Sequence, residues 1–210
     1  MYRIQIPATS ANLGAGFDAL GLALSYYNYV EIDESDTVDI KSLDDTVIPE
    51  DETNLVYESA KTLFDICGKP LKGLKIRQEN NIPMARGLGS SSACIIAGLV
   101  VANTLMNEPL SLDDLVNLSA QIEGHPDNVA PALYGGFCVS VFDGEKAWCK
   151  STKLSPDIKF AVMIPDYFVA TKKSREVLPE QIPFRDAVYN VSRASLLQAA
   201  LTCGDMSVLR

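Results

Sequence analysis

Basic residues are scarce: 18 Lys and Arg stand against 27 Asp and Glu, for a formal net charge of −9 at pH 7. Nucleic-acid binding draws on clustered Lys and Arg that neutralise phosphates, so this balance argues against a nucleic-acid partner. The acids are diffuse, densest from Asp33 to Asp51, as on a solvated surface. Long apolar runs are missing too, since Ala93 to Val101 is too short to span a bilayer. The opening residues show no basic region followed by an apolar core. No membrane and a cytoplasmic location are therefore expected. Five cysteines, Cys67, Cys94, Cys138, Cys149 and Cys203, are odd in number, scattered and never spaced Cys-x-x-Cys, which suits reduced, mostly buried thiols better than disulfides or a zinc site. Gly-Lys-Ser/Thr is absent, as is the glycine spacing of the dinucleotide fingerprint.

What the chain does carry is Pro83-Met84-Ala85-Arg86-Gly87-Leu88-Gly89-Ser90-Ser91-Ser92-Ala93, glycines and then hydroxyls at the mouth of an apolar helix. Gly87 and Gly89 can adopt positive φ and let the backbone approach an anion. Successive N–H groups and the helix N-terminus would then cradle phosphates. Taken alone, the segment is equally a Gly/Ser turn capping a helix. A second small-residue loop, Pro7 to Gly21, follows a short alternating strand, and within it Asn12 and Asp18 have the greatest capacity to meet a polar ligand. An Asx-capped turn is the competing reading. The third segment, Glu123-Gly124-His125-Pro126-Asp127-Asn128-Val129-Ala130-Pro131, holds the single histidine and a carboxylate, Glu123, suited to Mg²⁺ as a hard oxygen ligand. It comes just past a helix for which Ser111 and Asp114 fit a capping box. A lone loop histidine is also commonly structural.

In this order the three segments resemble the GHMP family of small-molecule kinases, and most closely its homoserine-phosphorylating branch, over a stretch from Tyr2 to about Leu201. The resemblance implies transfer of the γ-phosphoryl group of ATP to the side-chain hydroxyl of L-homoserine, giving O-phospho-L-homoserine on the path to threonine, with Mg²⁺. It implies that residues 83–93 hold the phosphates, that Ser91 and Glu123 bind the metal, and that Asn54 faces the adenine. It also implies a substrate pocket of Asn12, Asp18, His125 and Asn128, with Asp18 taking the ammonium. In Thr171-Lys172-Lys173-Ser174-Arg175-Glu176-Val177-Leu178-Pro179, Thr171 and Arg175 join that pocket, the Arg175 fork gripping the carboxylate. Glu123 and Asn128 are the residues it implies to be catalytic. Related kinases have an aspartate where Asn128 stands, and an amide cannot accept a proton at neutral pH. Orientation and electrostatics are then favoured, with the proton passing late to the phosphate. His125 and Asp127 are rival acceptors, and Asp127 alternatively caps the helix beginning near Val129. Two other readings are a different GHMP small-molecule kinase and a nucleotide- or amino-acid-sensing module of the same fold.

Strands are expected at Tyr2 to Ile6, Tyr26 to Asp33, Val38 to Ser42, Leu74 to Glu79, Gly136 to Phe142 and Lys146 to Ser151, the last two flanking the hairpin signal Asp143-Gly144, and at Lys159 to Ile164. Helices are expected at Leu55 to Cys67, Ser91 to Met106, Leu112 to Ile122 and Asp186 to Thr202. Their order argues α+β. The resemblance implies a ribosomal protein S5 domain 2-like N-terminal domain over 1–155, then the opening part of a ferredoxin-like C-terminal domain over 156–210. Family members continue into a further Gly-rich, Ser-containing loop. A chain stopping at Arg210 is therefore expected to fold around its N-terminal core, to self-associate, with a homodimer compatible, and to have little kinase activity by itself.

Overall fold

The computed structural model describes residues 1–164, 166 and 175–209. Strand β1 (Tyr2–Ser10) pairs antiparallel with β2 (Leu20–Ser35), Tyr2 opposite Ile32 and Ser10 opposite Leu22. The register shifts after Pro7, which has no N–H to give the ladder. At sixteen residues, β2 is long enough to serve three neighbours. It pairs with β4 (Gly73–Glu79) through Tyr29 to Ser35 and with β5 (Phe137–Phe142) through Leu20 to Leu22. The six-stranded sheet runs β3-β4-β2-β5-β6, with β1 also on β2. Only β3 (Asp39–Ser42) lies parallel to its neighbour β4. β5 and β6 (Ala147–Thr152) form the expected hairpin, in which the Asp143 carboxylate accepts the N–H groups of Glu145 and Lys146.

Two helices carry the core. Asn54 caps α1 (Leu55–Ile66) by accepting the Val56 N–H. α2 (Ser90–Leu105) is apolar on all sides and correspondingly buried. The two backbones approach so closely that a Cβ at Gly98 would lie 2.2 Å from the Val56 carbonyl oxygen. In the core that they share with the sheet, Ile32, Ile40, Leu63, Leu74, Ile76 and Leu99 are essentially sealed from water. Each such side chain contributes about 1.5–3 kcal/mol by burial. α3 (Leu112–Glu123) starts on the expected capping box, Ser111 and Asp114 bonding reciprocally. The short α4 (Val129–Tyr134) follows. After Pro183 comes α5 (Phe184–Cys203), followed by a 3₁₀ turn at Met206–Val208. α5 leans Leu197 and Leu201 on Leu20, Leu22 and Phe137, at one end of the sheet. Cys138, on β5 opposite Gly21, is buried, whereas Cys203 at the end of α5 is exposed. No helix among the described residues is long and apolar enough to cross a membrane.

Three expectations need correction. β1 runs to Ser10 and does not stop at Ile6, because Ala8 to Ser10 pair with Leu22 to Leu24 after the shift at Pro7. β2 begins at Leu20 and not at Tyr26, because Leu20 to Leu22 pair with β5 and Leu22 to Leu24 with β1, pairings that the small-residue character of the preceding loop hides. Residues 159–164 form no strand. Their apolar residues Phe160, Val162, Met163 and Ile164 are exposed, and they share no ladder with any described strand, so hydrophobicity alone does not make them extended sheet.

Candidate active site

The Gly-Ser loop, residues 83–93, is pinned to β1. Thr9 donates its backbone N–H to the Leu88 carbonyl at 3.1 Å. Gly89, with φ +68°, turns the chain into α2, and a Cβ there would lie 2.0 Å from Thr9 Oγ1 and 3.3 Å from Asn128 Oδ1. A Cβ on Gly87 would lie 3.1 Å from Asn12 Nδ2. The loops 7–18, 83–93 and 123–131 therefore meet at the N-terminus of α2. The first turn of that helix itself carries no acidic residue, and its partial positive charge faces the loop.

Glu123, the last residue of α3, reaches the same end of α2. Its carboxylate accepts the hydroxyls of Ser91 and Ser92, each at 3.1 Å. An all-oxygen set of hydroxyl and carboxylate beside a phosphate cradle fits the preference of Mg²⁺ for hard donors, so the residues present suit that ion. Beyond Glu123, His125 Nδ1 lies 2.6 Å from Oδ1 of the buried Asp127. An ionised carboxylate there requires the proton on Nδ1, and this bond raises the histidine's proton affinity against the opposing effect of burial. Asn128 Nδ2 donates to the same Oδ1 at 3.2 Å, and Asn128 Oδ1 accepts the Thr9 hydroxyl at 2.9 Å. The expected alternative of Asp127 as a helix cap is overturned. Asn128 is the cap of α4, without a side-chain bond, and the Asp127 carboxylate is turned to His125 and Asn128.

Asp18 and Arg175 come from opposite ends of the chain and form a bidentate pair, Nη1 to Oδ2 at 2.9 Å and Nη2 to Oδ1 at 2.6 Å. Asp18 adopts φ +58°, and the guanidinium lies 4.9 Å from the centre of the Phe17 ring. The carboxylate pair raises the proton affinity of Arg175. Ligand-capable atoms of Asp18, His125 and Asp127 all lie within 4.8 Å of one another, which brings the ion pair against the histidine loop.

Asn54 stands apart from this cluster. It is buried, both of its amide protons go to Pro49 O and Gln78 Oε1, and its oxygen accepts from Val56, so its visible work is to cap α1. Thr171 lies outside the described residues. The sequence reading passed over Thr9 and Phe17. Both lie inside the segment Pro7 to Gly21, Thr9 on the end of β1 and Phe17 in the loop after it, where a threonine among small residues and an aromatic beside an aspartate were the available signals.

Comparison with known proteins accords with this geometry. The GHMP kinases N terminal domain matches residues 54–136. The homoserine kinase of Clostridium acetobutylicum is 45% identical over all of this chain and 72% of its own length. The chain belongs to the homoserine kinase family. Another member, from Carboxydothermus hydrogenoformans, is 48% identical over 95% of this chain and 66% of its own length. Among solved structures, the homoserine kinase from Cytophaga hutchinsonii superposes with a TM-score of 0.80 at 32% identity, covering 98% of this chain and 69% of that one. The mevalonate kinase of Methanococcus jannaschii, at 19% identity and a TM-score of 0.56 over 72% of this chain and 56% of that one, shares the fold. The chain thus has the α+β fold of the GHMP kinases.

Proposed function

We propose that the protein is a cytoplasmic homoserine kinase that transfers the γ-phosphoryl group of ATP to the side-chain hydroxyl of L-homoserine. The observation that carries this reading is the convergence of Gly89, Glu123, Asn128 and the Asp18–Arg175 pair on the N-terminus of α2, in a chain of this family. Phosphoryl transfer asks a protein mainly to position two reactants and to stabilise spread negative charge. In our reading, residues 83–93 and the α2 terminus hold the phosphates, while Ser91 and Glu123 hold Mg²⁺, which when bound neutralises phosphate charge. Asn12, on the Gly87 side of the cradle, and His125 line the substrate pocket. Asn54 supports the nucleotide side through the helix that it caps.

An α-amino acid carries an ammonium and a carboxylate, the two charges complementary to Asp18 and Arg175. Substrate entry exchanges the internal pair for two pairs with the ligand, Asp18 to the ammonium and Arg175 to the carboxylate. Residues 1–155 then supply the phosphate and metal groups, and 156–210 contribute the carboxylate grip. Asn128 serves as a donor that orients the hydroxyl. As the hydroxyl oxygen bonds to phosphorus and the bond to ADP breaks, the hydroxyl proton passes to the phosphoryl group. The test is an ADP-release assay on the full-length protein with homoserine, threonine, serine and mevalonate side by side. Turnover with homoserine at least tenfold above the others is expected. Equal turnover with mevalonate, or nucleotide binding without transfer to homoserine, would overturn the reading.

A further inference from the structure

Thr9 is wholly buried at the end of β1, an unusual place for a hydroxyl unless that hydroxyl has a partner. Its partner is Asn128 Oδ1. Which way the Asn128 amide points follows from its two neighbours. One end of the amide lies 3.2 Å from the Asp127 carboxylate oxygen that also receives the His125 Nδ1–H, so that end must be the NH₂ group. The other end is then the carbonyl oxygen, and it needs a donor. Thr9 has a single hydroxyl proton, and that proton goes to Asn128. One N–H of Asn128 is left without a partner among the described residues, on a side chain that is only partly buried.

We propose that Thr9 is a positioning residue for the phosphoryl-transfer step: its hydroxyl locks the Asn128 amide with the remaining N–H directed to the acceptor hydroxyl. The proposal rests on the kinase reading above. Thr9 is suited to couple the reacting groups because it touches all three loops. Its backbone N–H holds Leu88 in the phosphate loop, and its hydroxyl occupies the space that a Cβ on Gly89 would fill. Without the hydroxyl, nothing fixes the amide about its last torsion except Asp127, and the Asn128 oxygen loses its buried donor.

The test is made on the full-length protein. Thr9→Val keeps the volume and the bond to Leu88 while removing the hydroxyl. It should lower kcat by roughly ten- to a hundredfold, with KM for ATP and homoserine changed by less than about threefold, since one buried hydrogen bond is lost in the transition state. Thr9→Ser should recover most of kcat, and Thr9→Ala, which avoids a branched side chain, should behave like Thr9→Val. In an Asn128→Ala background, Thr9→Val should cost nothing further. In protein labelled with ¹⁵N-asparagine, the Asn128 side-chain NH₂ pair should shift in Thr9→Val and stay in place in Thr9→Ser.

A kcat for Thr9→Val within twofold of the parent, a Thr9→Ser variant no better than Thr9→Val, a further tenfold loss in the Asn128→Ala background, or an unmoved NH₂ pair would each overturn the proposal. A parent protein inactive on homoserine would overturn the kinase reading separately, and the NH₂ resonances would still decide whether Thr9 sets the amide.

Discussion

Ten of the sixteen residues of α2 are buried, against two of the twenty in α5. α2 runs between α1, α3, α4 and the sheet, so nearly every face meets another element. α5 touches the sheet along one stripe, through Leu197 and Leu201. The Gly-Ser loop and the Ser91, Ser92 and Glu123 oxygens stand on the densely packed region. The loosely packed region contributes Arg175, held there by an ion pair and the face of Phe17 rather than by a core. Under the proposed function the contrast separates what stability requires from what substrate selection requires, since the Arg175 ion pair lies outside the α2 core.

The sharpest break in that comparison is Gly89→Val. A branched side chain at φ +68° is strained and would collide with Thr9 Oγ1, so nucleotide affinity should fall by at least about a hundredfold while the far-UV spectrum survives. Calorimetry that finds unchanged affinity would remove residues 83–93 from the phosphate assignment. Next in size is a pair of truncations. Leu99→Ala on α2 should cost about 2–5 kcal/mol by urea unfolding, and Val191→Ala on the exposed face of α5 within about 0.5 kcal/mol. Similar costs would erase the distinction between the two helices.

Arg175→Ala and Glu123→Gln divide the site. The first should raise KM for homoserine by roughly tenfold or more as a charge-assisted pair is lost. The second should lower kcat with homoserine affinity nearly unchanged, and steady-state kinetics in which both variants move both constants equally would refute the division. Smallest is Ser111→Ala, which should cost roughly 1 kcal/mol by breaking the capping box. Ser111 holds the Asp114 carboxyl below its ordinary value of 3.8, so this contribution is present above that pH and fades as the pH falls through the lower folded value. Unfolding measured at neutral pH and near pH 3 should show the difference between variant and parent shrinking in acid.

Much of this was legible in the sequence because local chemistry and tertiary role agree. The Gly-Ser loop, the Ser111–Asp114 box and the Asp143-Gly144 hairpin each announce a backbone geometry that packing then respects. Failures came where partners decide. Residues 159–164 are apolar enough for a strand but have no neighbour to pair with among the described residues, and the start of β2 depends on β5, more than a hundred residues away. Asp127 looks like a cap by position, yet the imidazole two residues earlier competes successfully for its carboxylate. Asp18 and Arg175 were read as two ends of a ligand site, and nothing in their separation of 157 residues hints that they bind each other.

The placement of two thiols gives the two regions separate clocks. Alkylating reagents attack the thiolate, and burial pushes the Cys138 thiol up to about 11, so Cys138 can be labelled only in moments when β5 parts from its neighbours. Cys203 lies open at the end of α5. One reagent applied to the native protein therefore marks Cys203 at once and Cys138 only at the rate at which β5 opens, so the delay at Cys138 times the opening of the sheet.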